Sequence, residues 1–125
     1  MTEVVFTDKA PLPIGPYSQC IKKGNMLFLS GQIPINPATQ NIVDCGIKEQ
    51  TEQVFKNIGE VLKAAGASYE NIVKTTVLLS DMGNFVPMNE VYGTFFKSNF
   101  PARSAFAVKT LPKNVMVEIE CIACL

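Results

Sequence analysis

The 125-residue chain contains no histidine, and this absence removes several kinds of chemistry at once. It excludes a histidine general base, a Ser-His-Asp triad and histidine-ligated zinc within this chain. No apolar run approaches the roughly 20 residues that a membrane-spanning helix requires, so we expect no membrane association. Residues 1–6 carry neither a basic segment nor a long apolar one, so we also expect no signal peptide.

Net charge is also absent. Lysine and arginine together number 11, as do aspartate and glutamate, which gives a formal charge of zero. Proteins that bind nucleic acids rely on a basic surface, so we expect no nucleic-acid partner. Hydrophobic residues make up 47% of the chain, which is enough for a core at this length. We therefore predict one domain over residues 1–125, with some apolar surface hidden in an oligomer.

The cysteines are few, and their spacing does not favour a metal site. Cys121 and Cys124 have CxxC spacing, but residues three apart on a continuous strand point to opposite faces. We therefore predict buried free thiols, no metal and a reducing cytoplasmic location. The other two cysteines, Cys20 and Cys45, are isolated in the sequence.

The order of predicted elements is β-β-β-α-β-α-β-β. Apolar residues recur at helical spacing over residues 47–65, and Gly66 follows as a C-terminal cap. A second helix is predicted from its N-cap Asn84 to about Ser98, while residues 34–46 form a polar loop. The strands are predicted at 3–7, 18–22, 26–30, 72–80, 104–108 and 115–123.

This order implies an α+β sandwich, because hairpins alternate with single helical crossovers. We expect a mixed sheet of about six strands with two helices packed on one face. The other face is still apolar by the strand patterns, so it needs a partner. The sequence therefore predicts a homo-oligomer whose sheets face one another.

Arg103 is the only arginine, and it stands where a strand begins, shortly after Pro101. Loops at element ends often carry ligand-binding residues, and a guanidinium can bind a carboxylate through two parallel hydrogen bonds.

Glu118 and Glu120 share one face of the last strand. Most acids on a strand face are merely solvated; alternatively, a glutamate opposite Arg103 handles a water or a proton. Spacing leaves both interpretations open.

Three further positions are candidates on local grounds. Prolines and a glycine in residues 10–17 fix the path of a loop and hold Tyr17 in place. Gly31 ends the third strand, where it allows a positive φ, close backbone approach by a ligand, or a β-bulge. Asn89 lies one turn from Tyr92 on the aromatic side of the second helix, and most such stripes are core.

Taken in order, these segments resemble the reactive-intermediate deaminase family, RidA or YjgF-like, over essentially the full length. No single motif is specific for the family, but the order and spacing of all the motifs together are specific. The matching motifs are Ala10-Pro11 with Ile14-Gly15-Pro16-Tyr17, Ser30-Gly31-Gln32-Ile33-Pro34, Val73-Lys74-Thr75-Thr76-Val77, Asn89 with Tyr92, Phe100-Pro101-Ala102-Arg103-Ser104, and Val117-Glu118-Ile119-Glu120.

The resemblance implies a chorismate-mutase-like fold and a homotrimer with a cleft at each subunit interface. It also implies hydrolysis of imines derived from the enamines 2-aminoacrylate and 2-aminocrotonate, with 2-oxo acids and ammonia as products. The ligand would be a small 2-imino or 2-oxo carboxylate. No metal or organic cofactor is implied.

Site residues also carry over by similarity. Arg103 would orient the substrate carboxylate, and Glu118 would activate the attacking water. Backbone groups of Gly31 and Ala105 would hold the polar atoms of the substrate. The cleft would be lined, partly from the neighbouring subunit, by Tyr17, Ser30 and Asn89.

One position departs from the family pattern. Many members have cysteine immediately after the Arg-Ser pair, where this chain has Ala105. The hydrolytic scheme needs only the main chain there, so we expect activity to survive. Modification of a thiol at this position is excluded.

Two other functions compete with the deaminase. The first is a non-catalytic trimeric module that binds a small carboxylate and regulates a partner; it needs Arg103 but not Glu118. The second is a translation inhibitor or endoribonuclease. The sequence disfavours it, because the chain has no histidine, no basic stripe and no aromatic platform motif for RNA.

Overall fold

The computed structural model describes residues 1–125 and contains eight strands and two helices. The helices are α1 (Ile47–Ala64) and α2 (Phe85–Tyr92). The strands are β1 (Thr2–Val5), β2 (Cys20–Lys23), β3 (Met26–Gln32), β4 (Ile35–Asn36), β5 (Asn41–Ile42), β6 (Ile72–Leu79), β7 (Ala102–Ala107) and β8 (Val117–Cys124).

Six of the strands form one mixed sheet in the order β1-β2-β3-β8-β6-β7. Only β6 and β7 run parallel, because α2 carries the chain between them and parallel neighbours need such a crossover. The predicted α+β class, with a mixed six-stranded sheet and two helices, is confirmed. In this order the C-terminal strand β8 lies at the centre and β7 at one edge.

The core lies between the sheet and the helices. Alternate residues of β8 are buried because side chains of a strand alternate between its two faces. Helix α1 buries the apolar stripe predicted from its sequence, with Phe55 added to it. The core side chains of these two elements are Val54, Phe55, Ile58, Val61, Leu62, Val117, Ile119, Cys121 and Ala123.

Helix α2 is shorter than its sequence predicts. It ends at Tyr92 rather than near Ser98, and Gly93–Phe95 continues it as a single 3-10 turn. Asn84 makes no side-chain cap; the preceding turn is capped by Asp81, whose Oδ1 accepts a hydrogen bond from Gly83 N at 2.6 Å. The aromatic residues after Gly93 reach the core from this turn, so the apolar pattern extends beyond the helix.

The predicted loop at 34–46 contains a short hairpin, which the sequence analysis missed. Its strands β4 and β5 pair Ile35 with Ile42, and Gln40 adopts a left-handed φ of 63° at the turn. Asn57 of α1 fixes the start of this segment, because its buried Nδ2 donates to Ile33 O at 3.2 Å and Ile35 O at 2.9 Å. Two-residue strands carry too little periodicity to be detected in a sequence.

The sheet face opposite the helices remains open within one chain. A row of apolar side chains crosses four strands in register, from Val4 through Ile21 and Phe28 to Ile122. Phe28 is 44% exposed and Phe106 on the edge strand is 48% exposed. An exposed apolar row of this kind fits the predicted oligomer, which stays a prediction here.

All four cysteines are free thiols, but the prediction that they are buried is correct only for Cys20 and Cys121, because Cys45 is exposed. Cys121 is buried among core residues, whereas Cys124 is partly exposed on the other face of β8. No three cysteine, aspartate or glutamate side chains cluster in a way that could hold a metal ion. No helix combines the length and the apolar character that crossing a bilayer requires.

Candidate active site

Arg103 lies on the edge strand β7 and extends over helix α2. Its Nη1 donates a hydrogen bond to Asn89 Oδ1 at 2.7 Å. The guanidinium carbon lies 4.7 Å from the ring centroid of Tyr92 and 5.4 Å from that of Phe85. The parallel register places Arg103 beside Thr75 of β6, so its side chain leaves the sheet on the helix side.

The positive charge of Arg103 is not paired with a carboxylate of the same chain. The two ion pairs of the molecule, Lys48–Glu90 and Glu52–Lys56, lie on its exposed surface. Only one of the five guanidinium N–H groups is used, by Asn89. The remaining donors and the full charge are available to a carboxylate from outside the chain.

A cavity of about 330 Å³ adjoins this guanidinium. We define the arginine half-site as Arg103 and the three residues that contact its guanidinium, which are Asn89, Tyr92 and Phe85. The cavity is lined by Asn89, Tyr92, Gly93, Phe100, Pro101 and Arg103.

Glu118 lies on the other face of the sheet, opposite Leu78 of β6. It is half-buried, and burial raises the pKa of its carboxyl above the usual value, as does the nearby charge of Glu120 to a smaller extent. A raised pKa brings the proton exchange of a carboxyl closer to neutral pH, which suits a general acid–base group.

Gly31 lies directly against this carboxyl. A Cβ added to Gly31 would overlap Glu118 Oε2, and the pairing of β3 with β8 shifts register between Leu29 and Gln32. This register shift agrees with the bulge interpretation. The positive-φ interpretation is wrong, because the glycines with left-handed φ lie elsewhere. The close approach is real, but within this chain it is made by Glu118.

Two more predicted residues lie around Glu118. Ser30 Oγ donates to Ser18 O at 2.6 Å and Ser30 N donates to Gln19 O at 3.0 Å, so the end of β3 holds the segment that carries Tyr17. Tyr17 is 51% exposed, and it lines a second cavity together with Glu118, Gly31 and Ser30. We define the glutamate half-site as Glu118, Gly31, Ser30 and Tyr17.

The cavity of the glutamate half-site measures about 590 Å³. It is lined by the apolar side chains of Leu12 and Ile14 from the proline-rich loop, and also by Glu118, Glu120 and Lys113. The loop is held by the buried Gln19, whose side chain accepts from Thr7 N and donates to Thr7 O and Pro11 O at 2.8–3.0 Å. The carboxyl is therefore displayed in a preformed, partly apolar recess.

The structure does not bring the two half-sites together within one chain. Across the sheet from Arg103 lie Thr75 and then Cys121, both buried on the helix side, whereas Glu118 points to the open face. Ala105 is in register with Val77 and packs against the core, so only its main chain remains as a binding group. A glutamate does not lie opposite Arg103 in the single subunit.

Tyr92 and Thr75 are the site residues that sequence reasoning did not select. The Tyr92 hydroxyl and Thr75 Oγ1 are 2.7 Å apart and buried, and burial raises the pKa of Tyr92 although Thr75 and Arg103 act to lower it. The aromatic side of the second helix predicts core residues, and Tyr92 is a core residue with 5% of its surface exposed. The signal that could have found it is its position one turn from Asn89.

Comparison with known proteins gives a consistent set of matches. The model of a family described as Endoribonuclease L-PSP matches residues 7–125. A RutC family protein of Pyrococcus horikoshii is 56% identical over 98% of this chain and 98% of its own length. A 2-iminobutanoate/2-iminopropanoate deaminase of Homo sapiens is 49% identical over 96% of this chain and 88% of its own length.

Solved structures agree with these matches. The Rid-family protein YyfA of Yersinia pestis superimposes with a TM-score of 0.97 at 47% identity, covering the whole of both chains. TdcF of Escherichia coli, solved with bound serine, gives a TM-score of 0.94 at 40% identity and covers 98% of each chain.

Proposed function

Because this chain belongs to the RidA, or YjgF-like, family that the Endoribonuclease L-PSP model describes, we propose that it hydrolyses reactive 2-imino acids to 2-oxo acids and ammonia. The substrates proposed are the imines of 2-aminoacrylate and 2-aminocrotonate. Two relatives that are 49% and 47% identical to this chain, both named 2-iminobutanoate/2-iminopropanoate deaminase, support the proposal. The observation that carries it is Arg103, whose partly buried guanidinium on the edge strand is held by neutral partners and is open to a carboxylate.

The working cleft is proposed to form between subunits of a homotrimer. Arg103 and Glu118 lie on opposite faces of one sheet, so a cleft that uses both must take them from two copies of the chain. The open sheet face, with the apolar row from Val4 to Ile122, supplies a surface for such an assembly. The partner subunit would then bring its arginine half-site to the glutamate half-site of this chain.

The reaction follows from the chemistry of these groups. Arg103 binds the carboxylate and fixes the imine carbon in the cleft. Glu118 takes a proton from water while the water oxygen bonds to the carbon of the protonated imine, which gives a neutral carbinolamine. Glu118 returns its proton to the nitrogen, the C–N bond breaks, and the hydroxyl proton passes to solvent, which leaves the 2-oxo acid and ammonia.

Main-chain groups complete the proposed site. Gly31 at the bulge and Ala105 on β7 would hold polar atoms of the substrate, while Tyr17, Ser30 and Asn89 would line the cleft. The Ala105 side chain faces the core, so the main chain can act there without the cysteine found in many members. The free thiols of the chain fit the cytoplasmic location that we propose.

A coupled assay tests the proposal. A serine or threonine dehydratase generates the enamine, semicarbazide traps residual imine, and release of 2-oxo acid is followed with and without this protein. We expect acceleration that Arg103→Ala removes and that Glu118→Gln lowers about 100-fold. Glu52→Gln, which changes an exposed glutamate of α1, should leave the rate unchanged. Full turnover in Glu118→Gln would rule out the role of Glu118.

The second candidate is a non-catalytic module that binds a small carboxylate. The arginine half-site alone suffices for it, and the relative TdcF was solved with bound serine, a small carboxylate. Binding of 2-oxobutanoate that depends on Arg103, without any acceleration of imine hydrolysis, would favour this function over the enzyme.

A further inference from the structure

The arginine half-site contains a support that the proposed reaction does not itself require. We propose that Tyr92 is a positioning residue: its ring face holds the Arg103 guanidinium in place, and its hydroxyl is anchored by Thr75. This inference rests on the proposed function, because it concerns how Arg103 is presented to a carboxylate.

The ring of Tyr92 lies close enough to the guanidinium to attract it. The distance of 4.7 Å from Arg103 Cζ to the ring centroid is well inside the range in which an aromatic face attracts a cation. Phe85 lies farther away, at 5.4 Å. A planar guanidinium stacked on a ring loses side-chain freedom before the ligand arrives, which lowers the entropic cost of binding.

The ring is in turn fixed by its surroundings. Its hydroxyl lies 2.7 Å from Thr75 Oγ1, and Thr75 is completely buried. Phe55 and Phe96 pack around it, with ring centroids at 5.4 Å and 5.1 Å. Tyr92 is therefore held at its hydroxyl end as well as at its edges.

The sheet register connects this support to Arg103. Thr75 is the residue of β6 that pairs with Arg103 of β7. Tyr92 thus bridges the two, with its hydroxyl on Thr75 and its ring face on the guanidinium. Asn89, one turn earlier on α2, fixes Nη1 at 2.7 Å. Together these contacts hold the guanidinium at two points, which favours the fixed geometry that a bidentate contact with a carboxylate requires.

The single arginine makes this contact measurable without signal assignment. Labelling with ¹⁵N-arginine gives one side-chain Nε–H resonance, whose chemical shift responds to the ring current of Tyr92. Affinity for 2-oxobutanoate is measured on the same sample by titration. The first readout is independent of activity, and the second reports carboxylate binding.

The variants are chosen to separate the ring from its hydroxyl. Tyr92→Leu removes the ring face, so we expect a displaced Nε–H signal and affinity lowered about tenfold. Tyr92→Phe keeps the ring but loses the bond to Thr75, so we expect the Nε–H signal to stay close to that of the parent and the affinity to fall only about threefold. The matched control is Tyr69→Leu, since the Tyr69 hydroxyl also donates within the core, to Phe55 O at 2.6 Å, but its ring makes no contact with Arg103.

Thr75 provides an independent variant pair if Tyr92→Leu does not fold. Thr75→Val removes the hydroxyl at nearly constant volume and should weaken 2-oxobutanoate binding about threefold, whereas Thr75→Ser keeps the hydroxyl and should restore it. A folded Tyr92→Leu with unchanged signal and affinity, or Thr75→Val equal to the parent in both, would overturn the inference. Unchanged affinity in Arg103→Ala would instead reject the proposed function, and the inference with it.

Discussion

At the scale of single residues, the contact between Gly31 and Glu118 determines where the carboxyl points. The space occupied by Glu118 Oε2 is the space that a Cβ on Gly31 would need. Any side chain at position 31 therefore displaces the carboxyl, and a displacement of about 1 Å from a productive geometry can cost about 100-fold in rate. The glycine is required here for close approach and not for its backbone angles.

Gly31→Ala should lower turnover more than tenfold while the protein remains folded, because the reacting group moves and the core does not. Gly59→Ala is the matched control. A Cβ there would overlap the Tyr69 hydroxyl in the core, so it should lower the melting temperature and leave turnover intact. Comparing turnover and thermal unfolding of both variants checks this expectation, and unchanged turnover in Gly31→Ala would contradict it.

Burial is the main cause of the raised pKa of Glu118, and the charge of Glu120 adds to it. The other titratable side chains of the cavity are Tyr17 and Lys113. As a base, Glu118 must be ionised, so activity should rise with pH through its pKa. Glu120→Gln removes a negative neighbour, which lowers that pKa.

We therefore expect the acidic limb of the kcat/KM profile to move to lower pH in Glu120→Gln. Glu90→Gln, which changes an exposed glutamate of α2 that pairs with Lys48, should not move it. A limb that stays in place in Glu120→Gln would show that Glu118 is not the group that titrates.

At the scale of elements, Gln19 determines whether the proline-rich loop keeps its shape. Its buried amide makes three hydrogen bonds to the main chain of Thr7 and Pro11. Gln19→Met keeps the volume but leaves those backbone groups unpaired, so we expect a loss of about 2–4 kcal/mol in the free energy of unfolding. The exposed Gln40→Met loses one bond, to Pro37 O, and should cost far less.

Denaturant unfolding of both variants measures the difference, and hydrogen exchange of the Thr7 amide reports the loop directly. Faster exchange at Thr7 in Gln19→Met, with protection of α1 retained, is the expected pattern. Equal unfolding free energies for the two variants would show that the Gln19 amide does not hold the loop.

The elements also show how far the sequence can lead. Helix α1 is predicted to within one residue at its C-terminus because its apolar period and the cap at Gly66 are local signals. Helix α2 is overestimated because Phe95 and Phe96 keep a helical spacing, although the helix tightens to a 3-10 turn at Gly93–Phe95 and the backbone is extended at Phe96. The bulge at Gly31 was one of three open alternatives, since only the tertiary register identifies its neighbour as Glu118.

At the scale of the whole molecule, the sequence predicts Arg103, Glu118 and the residues beside each as candidates for one site. It could not show that they lie on opposite faces of one sheet. That fact depends on the pairing of β7 with β6 and of β6 with β8, and strand order is set by packing rather than by local pattern.

The proposed assembly predicts that two inactive variants complement each other. In mixed trimers of Arg103→Ala and Glu118→Gln, some clefts combine an intact arginine half-site from one chain with an intact glutamate half-site from its neighbour. Random mixing of equal amounts should restore about one quarter of the parent activity per cleft. Co-refolding followed by the deaminase assay measures the recovery.

The control mixture combines Glu118→Gln with Gly31→Ala, both of which damage the glutamate half-site. No cleft of that mixture has an intact pair, so we expect no recovery. Absence of recovery in the first mixture, with mixed assembly verified by mass spectrometry, would exclude a cleft shared between subunits.

The placement of the half-sites on opposite faces of one sheet also has a genetic consequence when a mutant and a normal allele are expressed together. Under the proposed assembly, each chain borders two clefts and contributes a different face to each. A chain defective in both half-sites would silence both clefts that it borders, so a mutant allele would suppress the product of a normal one. Dilution would act in the same direction, because a lone chain has no complete cleft and specific activity would fall as the assembly dissociates.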